Sequence, residues 1–119
     1  MTTIQELLRL ESEPVIVVDD QGMVERINQA FTREFGWLPE DLAGRPLATI
    51  IPPPLRDSHH LGFSRYLATR IPTLLDQPLD LEVATASGKV VMAEHHILAG
   101  VRSGAPFFAA RLRRRGGGP

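Results

Sequence analysis

The chain has 119 residues, 43% of them hydrophobic and 23% charged, with a formal net charge of −1. That length bounds one domain with a single core, and the near-neutral balance signals neither a nucleic-acid nor a membrane partner. With no cysteine, disulfides, thiolate metal sites and cysteine nucleophiles are excluded. No apolar run approaches a membrane span and no signal peptide opens the chain, so a cytoplasmic domain is expected.

In chain order, Thr3 to Leu10 reads as a short helix. Thr3 and Glu6 make a capping box, and Ile4, Leu7 and Leu8 form one stripe. So short a helix is not stable alone, so its stripe must pack on the domain or on a second copy of it. Val15 to Val18 is a β-branched strand, Asp19-Asp20-Gln21-Gly22 a turn, and Met23 to Ile27 a second strand, together a hairpin. Asn28 caps a helix that runs to Phe35 and stops at Gly36. Trp37 reads as a core or lid residue. Pro39 to Ala43 and Leu47 to Ile51 are short helical turns.

Ile50 to Arg70, IIPPPLRDSHHLGFSRYLATR, predicts a longer helix over about Leu55 to Ala68, opened by prolines whose missing N–H costs nothing in a first turn. At 100° steps, Leu55, Phe63, Tyr66 and Leu67 fall within roughly 80° of His59. His59 therefore sits in the middle of the apolar face, with His60 at its margin. It is either a core histidine with one satisfied ring nitrogen or a ligand to something held beneath the helix.

Leu79 to Thr85 alternates apolar and polar residues, Ser87-Gly88 turns, Val90 to Val101 is a long strand, Arg102 to Pro106 a loop, and Phe107 to Arg113 a last strand. Their short connections make an antiparallel meander. In the long strand Val91, Ala93, His95, Ile97 and Ala99 share the face expected to be the core side, against Glu94 and His96 on the other. The expected architecture is α+β: a five-stranded antiparallel sheet with short helices on one face and a pocket between sheet and long helix. Residues 1–12 are expected to form a cap helix, 13–114 the domain and 115–119 a disordered tail. Arg111, Arg113, Arg114 and Arg115 read as a strand end and solvated tail, because no aromatic residues interleave with them as in a nucleic-acid patch. No nucleophile elbow or glycine-rich phosphate loop is present, and no catalytic residue is assigned.

PVIVVDDQGMVERINQAF, FGWLPEDLAGRPL, SGKVVMAEHHILAGV and PFFAARLR resemble the PAS sensor family, from about Glu13 to Arg113. The resemblance implies the PAS fold, a sensing or dimerisation role without enzymatic activity, a homodimer, and a histidine kinase or other signalling effector in cis or in trans. A homodimer would use Ile4, Leu7 and Leu8 with Met92 and Leu98. Family members that drive an effector usually end in Asp-Ile/Leu-Thr, where this chain has Arg114, Arg115 and Gly116, which suggests an excerpt, a stand-alone module or a different output.

Within the family, Pro54-x-Arg56-x-x-His59 followed by Arg65-Tyr66 resembles the haem-binding oxygen sensors of rhizobial type. That likeness implies His59 as the proximal iron ligand and Arg65 near a haem propionate, with Tyr66 in the same cofactor-binding run. The arginine that binds oxygen in those sensors is replaced by Leu79. His95 falls where an apolar residue lines the ligand side, which makes it a candidate sixth ligand or distal hydrogen-bond donor. The cofactor stays open: haem, a non-covalent flavin with a weaker signal, a small organic ligand, or side chains alone. A metal ion between the two histidines lacks a third ligand on the same face. A cofactor-free interaction module is the alternative.

Overall fold

The computed structural model describes residues 3–57 and 78–115. Helix α1 (Ile4–Arg9) is capped by Thr3, whose hydroxyl accepts from the Glu6 amide at 3.2 Å. Strands β1 (Val15–Val18) and β2 (Val24–Ile27) form the first hairpin, and the Asp19 carboxylate holds its turn by accepting from the Gln21 and Met23 amides. Helix α2 (Gln29–Phe35) starts at Asn28 and ends at Gly36, and α3 (Pro39–Leu42) follows. Leu47–Ile50 and Pro53–Leu55 are 3-10 turns. Residues 56 and 57 are helical, and the rest of the helix expected over Leu55 to Ala68 lies outside the described residues.

Strands β3 (Pro78–Ala84), β4 (Val90–Arg102) and β5 (Ala105–Arg114) complete one antiparallel sheet of order β2-β1-β5-β4-β3. The loop expected over Arg102 to Pro106 tightens to two residues, Ser103 and Gly104. Their φ values of 50° and 78° suit a turn whose twist matches the flanking strands, so pairing continues to Arg102↔Ala105.

The sheet has two apolar faces. On the inner face Ile16, Val18, Val83, Val91, Ala93, Ala110 and Leu112 join Phe31 and Phe35 of α2, Leu42 of α3 and Ile50. On the outer face Val15, Val17, Phe107 and Ala109 are covered by Leu7 of α1, with Ile4, Leu8 and Leu98 alongside. The α1 stripe is thus satisfied within its own chain: Leu7 keeps 1% of its surface. No helix among the described residues is long and apolar enough to cross a membrane.

Candidate functional site

The middle of β4 carries the one predicted site residue that falls within the described part. Alternation sends Val91, Ala93, His95 and Ile97 to the inner face, where Val91 and Ala93 are buried and Ile97 packs against the core. His95 pairs across the sheet with Leu79 of β3 on one side and Leu112 of β5 on the other. The imidazole therefore stands in an apolar row, and the leucine that replaces the oxygen sensors' arginine is its direct cross-strand neighbour.

The His95 Nδ1 lies 3.0 Å from the Ala93 carbonyl oxygen. A carbonyl only accepts, so Nδ1 carries the proton. Burial pushes the His95 pKa below its usual 6.5, with the Ala93 hydrogen bond and nearby Asp80 opposing weakly. The ring is then neutral at pH 7, and Nε2 holds the lone pair. A backbone carbonyl fixing one nitrogen while the other is free to ligate is the usual second-shell arrangement of a metal-bound histidine. The residues on this face fit a haem iron to that extent.

His59, Arg65 and Tyr66 lie outside the described residues. Trp37, read as core or lid, packs partly buried against the inner core and donates its indole N–H to the Ala84 carbonyl at 2.9 Å. This bond ties the segment after α2 to the end of β3.

On the outer face the arginine run is sorted by strand alternation. Arg111, Arg113 and Arg115 line up with Glu13, Glu94 and Asp80. Arg111 lies 3.9 Å from Glu13 and 3.8 Å from Glu94, Arg113 bonds Glu13, and Arg115 reaches Glu94 at 2.8 Å and Asp80 at 3.1 Å. The Arg113 hydrogen bond holds the Glu13 carboxyl below the usual carboxylate range. Arg115 also donates its amide N–H to the Met92 carbonyl. These pairs span β3, β4, β5 and the entry to β1, so three of the four basic side chains are absorbed in holding the sheet. Each exposed pair is worth little alone, and the network acts through its number of links.

A five-stranded antiparallel sheet of order β2-β1-β5-β4-β3, with short helices on one face and a cap helix on the other, is the architecture the comparisons recognise. The profile of the PAS fold family matches residues 10–105. An uncharacterized protein of Azorhizobium caulinodans is 33% identical over 108 residues, covering 90% of this chain and 15% of the relative. The chain thus spans 15% of the length of that curated relative. Among solved structures, the PAS domain of a Desulfitobacterium hafniense protein superposes with a TM-score of 0.72 at 17% identity, covering 90% of this chain and 96% of that one. A PAS domain from a two-component sensor histidine kinase gives 0.70 at 15% identity, covering 94% and 93%. The chain belongs to the PAS fold family. PAS domains are typically sensory modules without enzymatic activity.

Proposed function

We propose that this PAS domain senses through a ligand held between the inner face of the sheet and residues 55–68, and relays the binding event as a cytoplasmic homodimer to a histidine kinase or other signalling effector. The observation that carries the reading is the placement of His95, set in an apolar row between Leu79 and Leu112 with its Nδ1 held by the Ala93 carbonyl and Nε2 left as the acceptor nitrogen. A half-buried imidazole with one nitrogen anchored and, among the described residues, no partner on the other is the feature a purely structural core would replace with another aliphatic side chain.

Haem is the ligand class that uses this feature best. When bound, it supplies an iron centre whose ligation and redox state can be read by the protein. His59 would be the proximal ligand, Arg65 the partner of a propionate, and Tyr66 a further lining residue. His95 was open to two roles, sixth ligand or distal donor, and its tautomer favours the first. A donor at Nε2 would require the imidazolium, which burial disfavours. With Leu79 in place of an oxygen-binding arginine, the reading points to redox state or to gases other than oxygen.

The test is an absorption spectrum of the purified protein with and without added hemin. A Soret band is expected that His59→Ala abolishes and His95→Ala shifts. A protein that ignores hemin removes haem from the reading, and a His95→Ala spectrum identical to the parent removes the sixth-ligand role.

The homodimer has a specific observation behind it. Leu7 is spent on the chain's own sheet, but Val90 and Met92, on the outer face at the start of β4 and next to the arginine network, are 44% and 41% exposed. Uncovered side chains of this size suit a second copy. Light scattering at high protein concentration should give twice the chain mass, and Met92→Glu should return it to one. A single-chain mass at every concentration leaves the ligand reading without dimerisation.

A further inference from the structure

Arg114 departs from its three neighbours. Strand alternation turns it to the opposite side of β5, away from Glu13, Glu94 and Asp80, where it lines an open cavity of about 330 Å³. Two other cations reach the same cavity from separate elements: Arg33 from the last turn of α2 and Lys89 from the β3–β4 hairpin. Among the described residues none of the three has a carboxylate within ion-pairing distance. Glu34 is the one acidic side chain on the lining.

The frame around these cations is held in place. The hairpin is closed by the Thr85 amide and hydroxyl, both donating to the Lys89 carbonyl at 2.8 and 2.7 Å. It is docked on α2 by the Ala86 amide donating to the Phe35 carbonyl at 3.1 Å. Ser87 adds a hydroxyl 3.1 Å from that of Thr85. The floor is buried Phe35 and Val91. Three like charges brought together on a rigid frame repel one another, and an anion between them relieves that repulsion. Arginine forks match phosphate and carboxylate oxygens, and the cavity has the size of a small-molecule site.

We infer that this cavity is a second binding site, for a small molecule with two or more adjacent anionic groups, phosphate or carboxylate. Arg33, Lys89 and Arg114 provide the charge and Ser87 a hydroxyl contact. The site opens on the inner side of the sheet, over Phe35 and Val91 of the core below His95, and uses none of the residues proposed to hold the inner ligand. Because it joins α2, the β3–β4 hairpin and the end of β5, an occupant would couple the inner helical layer to the C-terminal end of the sheet.

The test is titration calorimetry of the intact chain with inorganic pyrophosphate and, in a second arm, citrate. Saturable binding is expected, weakening with salt, and the stronger arm identifies the anion type. Lys89→Ala and Arg114→Ala should each weaken it about tenfold, the effect of one charge-assisted contact. Glu34→Gln should tighten it, an effect that a general loss of structure does not produce. All three side chains are exposed, so folding is checked by circular dichroism alone. Absence of saturable heat in both arms overturns the site, as does binding that the Lys89 and Arg114 substitutions leave unchanged. Neither result bears on the hemin spectrum, so this site and the haem reading fail separately.

Discussion

Replacing Asn28 by alanine is expected to destabilise the domain by about 2–4 kcal/mol, read as a lower urea midpoint with an unchanged slope. Its side-chain amide makes four hydrogen bonds, its full working capacity. The oxygen accepts from the Phe31 amide at 3.0 Å, capping α2, and from the Val15 amide at 3.0 Å, at the start of β1. The nitrogen donates to the carbonyls of Leu10 at 2.9 Å and Glu13 at 2.8 Å, fixing the segment between α1 and the sheet. Loss of the cap accounts for about 1 kcal/mol. The rest comes from partly buried backbone groups left without partners. Asn28→Asp separates the two halves. It keeps the acceptor for α2 but sets a carboxylate oxygen against two carbonyls. Hydrogen exchange should therefore accelerate in α1 and residues 10–14 while α2 stays protected. Equal loss of protection in α2 would contradict this division.

Only the first of those four bonds was legible in the sequence. An Asn before an apolar helical stripe announces a cap because the contact is local. The bonds to Leu10, Glu13 and Val15 depend on how the chain folds back, which no local pattern encodes. The same divide runs through the rest of the molecule. Period-two alternation placed His95 on the inner face of β4, and turn residues placed the hairpins, since both are local rules. The Ile4-Leu7-Leu8 stripe was legible as a stripe, but its partner was not, because a second copy satisfies the same pattern as the chain's own β1 and β5. The arginine run reads as one block, yet the pleat splits it, three to the outer network and Arg114 to a cavity. That cavity gathers residues 33, 89 and 114, and nothing local marks them as neighbours. His59 and Tyr66 rest on helical spacing and family likeness, Arg65 on the likeness alone, and the spectrum decides them.

A methyl group at Gly100 is expected to cost about 1–3 kcal/mol and to loosen α1 from the sheet. A Cβ there would lie 2.6 and 2.8 Å from the Phe107 ring and 3.0 Å from the Ile4 Cδ1, all inside the contact distance of about 3.5 Å. The ring has little room to yield. Phe107 is 5% exposed, packed with Leu7, Val15, Val17 and Ala109. The Arg102 guanidinium lies over it at 4.1 Å and is itself held by Glu25 of β2. Removing a glycine from the unfolded chain offsets about 0.4–1 kcal/mol, so the net effect stays destabilising. Ile4 is the easier side to displace, and α1 has six residues, too few to remain helical once its stripe is lifted. Gly100→Ala should therefore show reduced protection of the α1 amides and a lower midpoint. Adding Phe107→Leu, which vacates the space the methyl needs, should restore more stability in the Gly100→Ala background than it costs in the parent. A Gly100→Ala protein as stable as the parent, with α1 still protected, would mean that the outer core is looser than its packing implies. The coupling matters because Gly100, Phe107 and Ile4 meet at one point of the outer face: the steric tolerance at Gly100 sets how closely the cap helix can approach the sheet.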